Sequence, residues 1–139
     1  MPDQASSDEE SIRHVVQQIT ASWRNKQYDD IGLFIAEHAV IAPPGSTARV
    51  RGRAAYVQSY RDYDQAATTL AFTPEEPEID IIGDVAVALC PFVVVYELEG
   101  ERYQAVGRDV LVLARMADAW QVVWRTMHTE STEPGTNEP

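Results

Sequence analysis

At 139 residues the chain can bury roughly two thirds of its unfolded surface in one core, so no second domain is required. Its formal net charge of −11, from 22 acidic against 11 basic side chains, argues against nucleic acid or an anionic membrane surface as partner, because both demand local positive potential. The single cysteine, Cys90, has no partner for an intramolecular disulfide and offers no thiolate cluster for a metal, which fits a reducing compartment.

The opening MPDQASSDEES is acidic and polar where a signal peptide would be basic and then apolar. Apolar runs such as Val110–Ala114 fall far short of the roughly 20 residues a membrane-spanning helix needs. A cytoplasmic protein is expected, with one domain over residues 7–130 and flexible tails at 1–6 and 131–139.

Ser7 followed by Glu10 reads as a capping box, after which Ile12, Val15, Val16, Ile19 and Trp23 recur on one helical stripe. Asp29 is placed to cap a second, shorter helix ending near Ala36, with Ile31, Phe34 and Ile35 inward and Gly32 weakening it. Ala39 to Ala42 reads as a short strand stopped by Pro43, Pro44 and Gly45, resumed briefly from Arg49 to Arg51. A third helix follows Gly52 to about Asp64 and carries Tyr56, Tyr60 and Tyr63 on one side. Thr69 to Ile82, interrupted by Pro74 and Pro77, belongs at a sheet edge or around a bulge. Asp84 to Leu98, Arg102 to Met116 and Ala119 to Thr129 read as long strands, with a mobile tail from Glu130.

The central hairpin can be registered by counting. Folding it on Glu99 and Gly100 sets Leu98 against Glu101, Val94 against Ala105, Phe92 against Gly107 and Cys90 against Asp109. Asp109 is the only acid within a long apolar strand, and the small residues Ala105 and Gly107 predict a hollow beside it. The opposite parity, Val85, Val87, Leu89, Val93 and Val95, is too apolar to face water and predicts a homodimer interface on the outer sheet face. Helices followed by a long sheet define an α+β layout in which the sheet curls around the helices and leaves a pocket at its wide end.

The order of ASWRNKQYDDI, FIAEHAV, APPGS, VRGRAAYVQSY, the central hairpin and WQVVWRTMHTES resembles the NTF2-like superfamily, in its SnoaL-like and ketosteroid-isomerase-like branch. The resemblance implies an NTF2-like cone, three N-terminal helices packed on a strongly curved, mainly antiparallel sheet. It also makes Asp109 the counterpart of the protonated, oxyanion-stabilising aspartate of the steroid isomerase. The isomerase's base would fall at Ala42–Pro43 and its tyrosine at Ile19, none of which can move a proton, so steroid isomerisation by that mechanism is not expected. His38 stands where such families often carry an acid.

The fate of Asp109 depends on the last hairpin. A two-residue turn at Ala117 and Asp118 sets Thr126 opposite Asp109, His128 opposite Gly107 and Trp124 opposite Leu111, which makes a pocket with a free acid. A one-residue slip sets Arg125 against Asp109 and makes an ion pair, and both readings stand equally. In the first, Asp109 is the acid-base group, assisted by His128 or Tyr60, in a pocket of Trp23, Tyr56, Cys90, Phe92, Tyr96, Gly107, Trp124, Arg125 and Thr126 that takes an apolar small molecule. Against this, aromatic stripes are usually core, His128 suits a strand end, and Cys90 suits an inert buried thiol. His14, His38 and His128 show no ligand spacing, so no metal and no other cofactor is expected. Two functions follow: a proton-transfer enzyme of the isomerase, cyclase or dehydratase type, or a non-catalytic homodimeric ligand-binding or association module. An epoxide hydrolase ranks below both for want of a second internal acid.

Overall fold

The computed structural model describes residues 4–134. In chain order they form α1 (Gln4–Arg24), α2 (Tyr28–Ile31) continued by a 3-10 turn (Gly32–Phe34), β1 (Ile35–Ala42), β2 (Val50–Arg51), α3 (Arg53–Ala66), β3 (Thr68–Pro74), β4 (Glu78–Ile82), β5 (Val85–Leu98), β6 (Glu101–Met116) and β7 (Ala119–Pro134). The architecture is α+β, as the element order predicts, but β1 and β2 precede α3, so the helices do not form one N-terminal run.

Helix α1 buries Ile12, Val15, Ile19 and Trp23, the stripe their spacing predicts. It starts ahead of Ser7, so Ser7 and Glu10 lie inside the helix and cap nothing. Asp8 is buried there instead, accepting from Arg115 Nη2 at 2.5 Å and Trp120 Nε1 at 3.3 Å, which pins the helix to the β6–β7 hairpin. The second helix ends earlier than predicted. Gln27, not Asp29, takes its cap position, Gly32 weakens further helix, and the β-branched Ile35 opens a strand whose first carbonyl is taken by Arg53 Nε at 2.8 Å. Gly52, at a left-handed φ of 98°, turns β2 into α3.

Seven strands form one mixed sheet in the order β2-β1-β7-β6-β5-β3, with β4 also pairing β5. β1 runs parallel to β7 and every other pair is antiparallel. The sheet curls without closing. Pro74 and Pro77 separate β3 from β4, and the two strands share the outer edge of β5, where a missing N–H does not break a ladder. Helical residues Ile12, Ile19, Tyr56 and Val57 join Ala86, Ala88, Leu111, Leu113 and Val122 of the sheet in one core.

The central hairpin has the counted register: Leu98 faces Glu101, Val94 faces Ala105, Phe92 faces Gly107 and Cys90 faces Asp109. Its turn residues Glu99 and Gly100 both adopt positive φ, 52° and 82°, matching the right-handed twist of the strands. The last hairpin also turns on two residues, Ala117 and Asp118, with Met116 facing Ala119. Its register then changes, because Leu113 faces Val122 while Val112 faces Trp124 and Val123 is the extra residue of a β-bulge. From Trp124 to Thr129 the side chains of β7 are reversed relative to the turn, until a second extra residue, Glu130, between the Gly107–Thr129 and Val106–Ser131 pairs restores the original parity. β7 then continues to Pro134, paired with Tyr103, so the stretch from Glu130 is strand as far as that residue. Of the flexible tails expected at 1–6 and 131–139, residues 1–3 and 135–139 lie outside the described residues.

No helix among the described residues is long and apolar enough to cross a membrane.

Candidate functional site: an ion pair in the wall of an apolar cavity

Between α1, α3 and the inner sheet face lies a cavity of about 660 Å3, within the range that holds one small organic molecule. Its aromatic wall is assembled from four elements. Trp23 of α1 meets the ring of Phe72 edge-on at 5.1 Å, Phe72 stacks on Phe92 of β5 at 5.3 Å, and Tyr60 of α3 lies 6.2 Å from Trp23. Trp23 is held in place by donating from Nε1 to Asp64 Oδ1 at 3.1 Å, and Tyr28 donates to the other oxygen of the same carboxylate.

One charged pair enters this wall. Arg125 donates from Nε to Asp109 Oδ1 at 3.0 Å, and its Nη2 stands 2.9 Å from the same oxygen. The guanidinium also lies over the ring of Tyr60, 5.0 Å from its centre. Burial disfavours the charged form of Arg125, but the carboxylate of Asp109 against it outweighs that effect, and its pKa is raised. Burial raises the pKa of Tyr60 as well, so its hydroxyl is neutral and able to donate. Burial first, and Asp109 second, push the Cys90 thiol up to about 12, which leaves it a protonated and weak nucleophile.

Trp23, Tyr60, Cys90, Phe92, Tyr96, Asp109 and Arg125 therefore share the cavity wall. Tyr56 does not reach it. It is fully buried behind Tyr60, 6.1 Å between ring centres, and its hydroxyl lacks a well-formed hydrogen bond. Gly107 leaves no hollow: an added Cβ would meet Phe92 Cζ at 2.9 Å and the His128 carbonyl at 2.6 Å, so the phenyl ring fills the space its missing side chain creates. Trp124, Thr126 and His128 face the other side of the sheet, opposite Val112, Val110 and Arg108. The bulge at Val123 put them there. His128 is exposed, and Thr126 donates its hydroxyl to the Ala42 carbonyl at 2.7 Å.

The same bulge brings in Met127, opposite Asp109. Phe72 was missed because Pro74 obscures the alternation of its short strand. Ile19, Ala42 and Pro43, which the resemblance aligns with the isomerase's tyrosine and base, do line the cavity, and they supply no proton there. His14 and His38 are exposed. Among the described residues no three metal-ligating side chains gather.

This arrangement, a curled mixed sheet with helices over an inner cavity, is that of the NTF2-like fold. Residues 12–128 match the family model of the SnoaL-like domain, and the chain belongs to that family. No curated protein matches the sequence. Similar solved structures include a proposed scytalone dehydratase from Novosphingobium aromaticivorans, with a TM-score of 0.81 at 13% identity over 99% of this chain and 94% of that one. A hexachlorocyclohexane dehydrochlorinase from Novosphingobium barchaimii gives 0.81 at 8% identity over 96% of each chain. A ketosteroid isomerase-like protein from Erwinia carotovora gives 0.76 at 13% identity over 88% of this chain and 95% of that one. At these identities the likeness is one of fold.

Proposed function

We propose that the protein binds one apolar, ring-containing small molecule in the cavity and orients it with the Asp109–Arg125 pair. The observation that carries this reading is the place of the pair. An ion pair serving structure alone would sit in a filled core, whereas this one borders a cavity of about 660 Å3 whose other walls are largely aromatic and aliphatic. The similar structures that are named as a dehydratase and a dehydrochlorinase support a small-molecule role. The test is a thermal-shift screen of uncharged aromatic compounds, repeated on Leu111→Trp, which places a large ring in the cavity wall. Ligands that stabilise the parent protein should lose their effect in the variant. Stabilisation unaltered by Leu111→Trp would place binding elsewhere.

A second reading, proton transfer of the isomerase, cyclase or dehydratase type, is favoured by one observation: only Oδ1 of Asp109 is engaged by Arg125. Asp109 Oδ2, which Arg125 does not touch, is then the atom placed to take a proton from carbon. Tyr60 could then donate to the oxygen on which charge develops, while His128, on the outer face, has no part. Exchange of an α-hydrogen of a bound ketone for deuterium, followed by NMR and lost in Asp109→Asn, is the outcome this reading requires. Absence of exchange with every ketone that binds would leave the binding role alone. The outer face of β5, where Val87, Leu89, Val93 and Val95 are only partly covered and Val85 is 43% exposed, supports a homodimer as the working unit.

A further inference from the structure

We propose that the cavity selects its ligand by hydrogen-bond polarity: it takes an apolar molecule whose neutral hydroxyl donates to Asp109 Oδ2, and disfavours molecules of the same shape that can only accept. This rests on the binding reading above and adds the chemical class of the ligand. Both contacts from Arg125 converge on Oδ1, at 3.0 Å and 2.9 Å. No hydrogen bond among the described residues reaches Oδ2. The side chain of Asp109 keeps 23% of its surface exposed, and it is a residue of the cavity wall.

A carboxylate oxygen only accepts, so whatever polar group meets Oδ2 must bring the hydrogen. No neighbour of Asp109 supplies one in this structure. Leu111, Phe92 and Met127 are apolar, the Cys90 thiol is at best a weak donor, and the Tyr60 hydroxyl, although it belongs to the same wall, makes no hydrogen bond to Asp109. Arg125 has one face of its guanidinium covered by Tyr60, and its nearest edge is spent on Oδ1. An anionic ligand is disfavoured as well, since the pair is already neutral in sum and Oδ2 would repel it. A carboxylate oxygen left without water and without a donor is costly, so an ether in place of a hydroxyl should bind roughly tenfold to a hundredfold more weakly, the range set by a hydrogen bond to a charged group.

Replacing Asp109 by Asn makes a sharper test than deletion. The amide oxygen is the only atom of Asn that can accept from Arg125, so the NH2 group would turn into the cavity, and the preference should reverse towards acceptors. The experiment is calorimetric titration of the full chain and of Asp109→Asn with para-cyclohexylphenol, its methyl ether and para-cyclohexylbenzoate, with a thermal melt to show that the variant is folded. The parent protein should bind the phenol at least about tenfold more tightly than the ether, with the benzoate weakest, and the variant should bind the ether more tightly than the phenol. Equal affinities for phenol and ether in the parent protein, or a tighter ether, would overturn this inference and leave binding in the cavity standing. Binding of none of the three would instead overturn the binding reading on which it rests. Should the variant fail to fold, the ratio in the parent protein decides alone.

Discussion

Arg125 and Asp109 are separable only at a cost, because each shields the other from an apolar surrounding. Arg125→Met should destabilise the protein by about 3–5 kcal/mol, at the lower end because both side chains retain some exposure to the cavity, since it strands a carboxylate without its cation. The double variant Arg125→Met with Asp109→Leu should be clearly more stable than Arg125→Met alone, and urea denaturation of the set reads the coupling between the two sites. Cys90 gives a dependence on pH. Its folded pKa, about 12, lies above the ordinary thiol value of 9.0, so the contribution is whole below about pH 9 and is lost as pH rises towards 12. The stability of the parent protein should fall more steeply across that window than that of Cys90→Ala, measured by denaturation at a series of alkaline pH values. An equal fall in both would assign the loss to other groups, such as the buried Tyr56 and Tyr60.

One inserted residue decides which side chains of β7 from Trp124 to Thr129 see the cavity. Val123 is the extra residue of the bulge, and through it Arg125 and Met127 turn inward while Trp124, Thr126 and His128 turn outward. Deleting Val123 should leave a regular ladder in which Val112 still faces Trp124 and Leu111 still faces Arg125, so that Arg125 keeps Asp109 and Trp124 and Thr126 stay outside. A near-ultraviolet circular dichroism spectrum close to that of the parent protein is the expected sign, and a changed one would mean that the strand beyond the bulge has slipped. Gly107 makes the complementary point on β6. Gly107→Ala should cost about 1–3 kcal/mol by melting or denaturation, because its new Cβ would press on both a ring and a backbone carbonyl. A neutral or stabilising result would mean that Phe92 can move aside.

At the scale of the molecule, the fold belongs to the SnoaL-like family while the site is this chain's own. Ile19, Ala42 and Pro43 keep the cavity apolar at positions where the resembling isomerase needs proton carriers, so the family accounts for the container, and the proposed recognition rests on the ion pair. The outer sheet face carries the remaining prediction. Light scattering should give the mass of two chains, and Val93→Glu, which charges the middle of that face, should reduce it to one without unfolding the protein. A parent protein that runs as a single chain would remove the dimer from the proposal.

Local rules made much of this legible in the sequence. Turn chemistry at Glu99–Gly100 and strict alternation set the register of the central hairpin, and helical spacing set the buried stripe of α1, because each depends on neighbours a few residues apart. The ion-pair alternative for Asp109 was legible too, but not the route to it, since a two-residue turn and an Arg125 contact exclude each other in a regular ladder. Tertiary structure admitted both by placing a bulge between them. No residue type marks Val123 as the insertion, and its cost is met by contacts distant in sequence: the parallel pairing of β1 with β7, the Thr126 bond to Ala42, and Tyr60 lying over Arg125. The sequence by itself determined that an acid would stand in an apolar sheet face. Only the tertiary structure decided that it would have a cation beside it and a cavity in front of it, because parity along a strand is summed over every irregularity and those are resolved by packing.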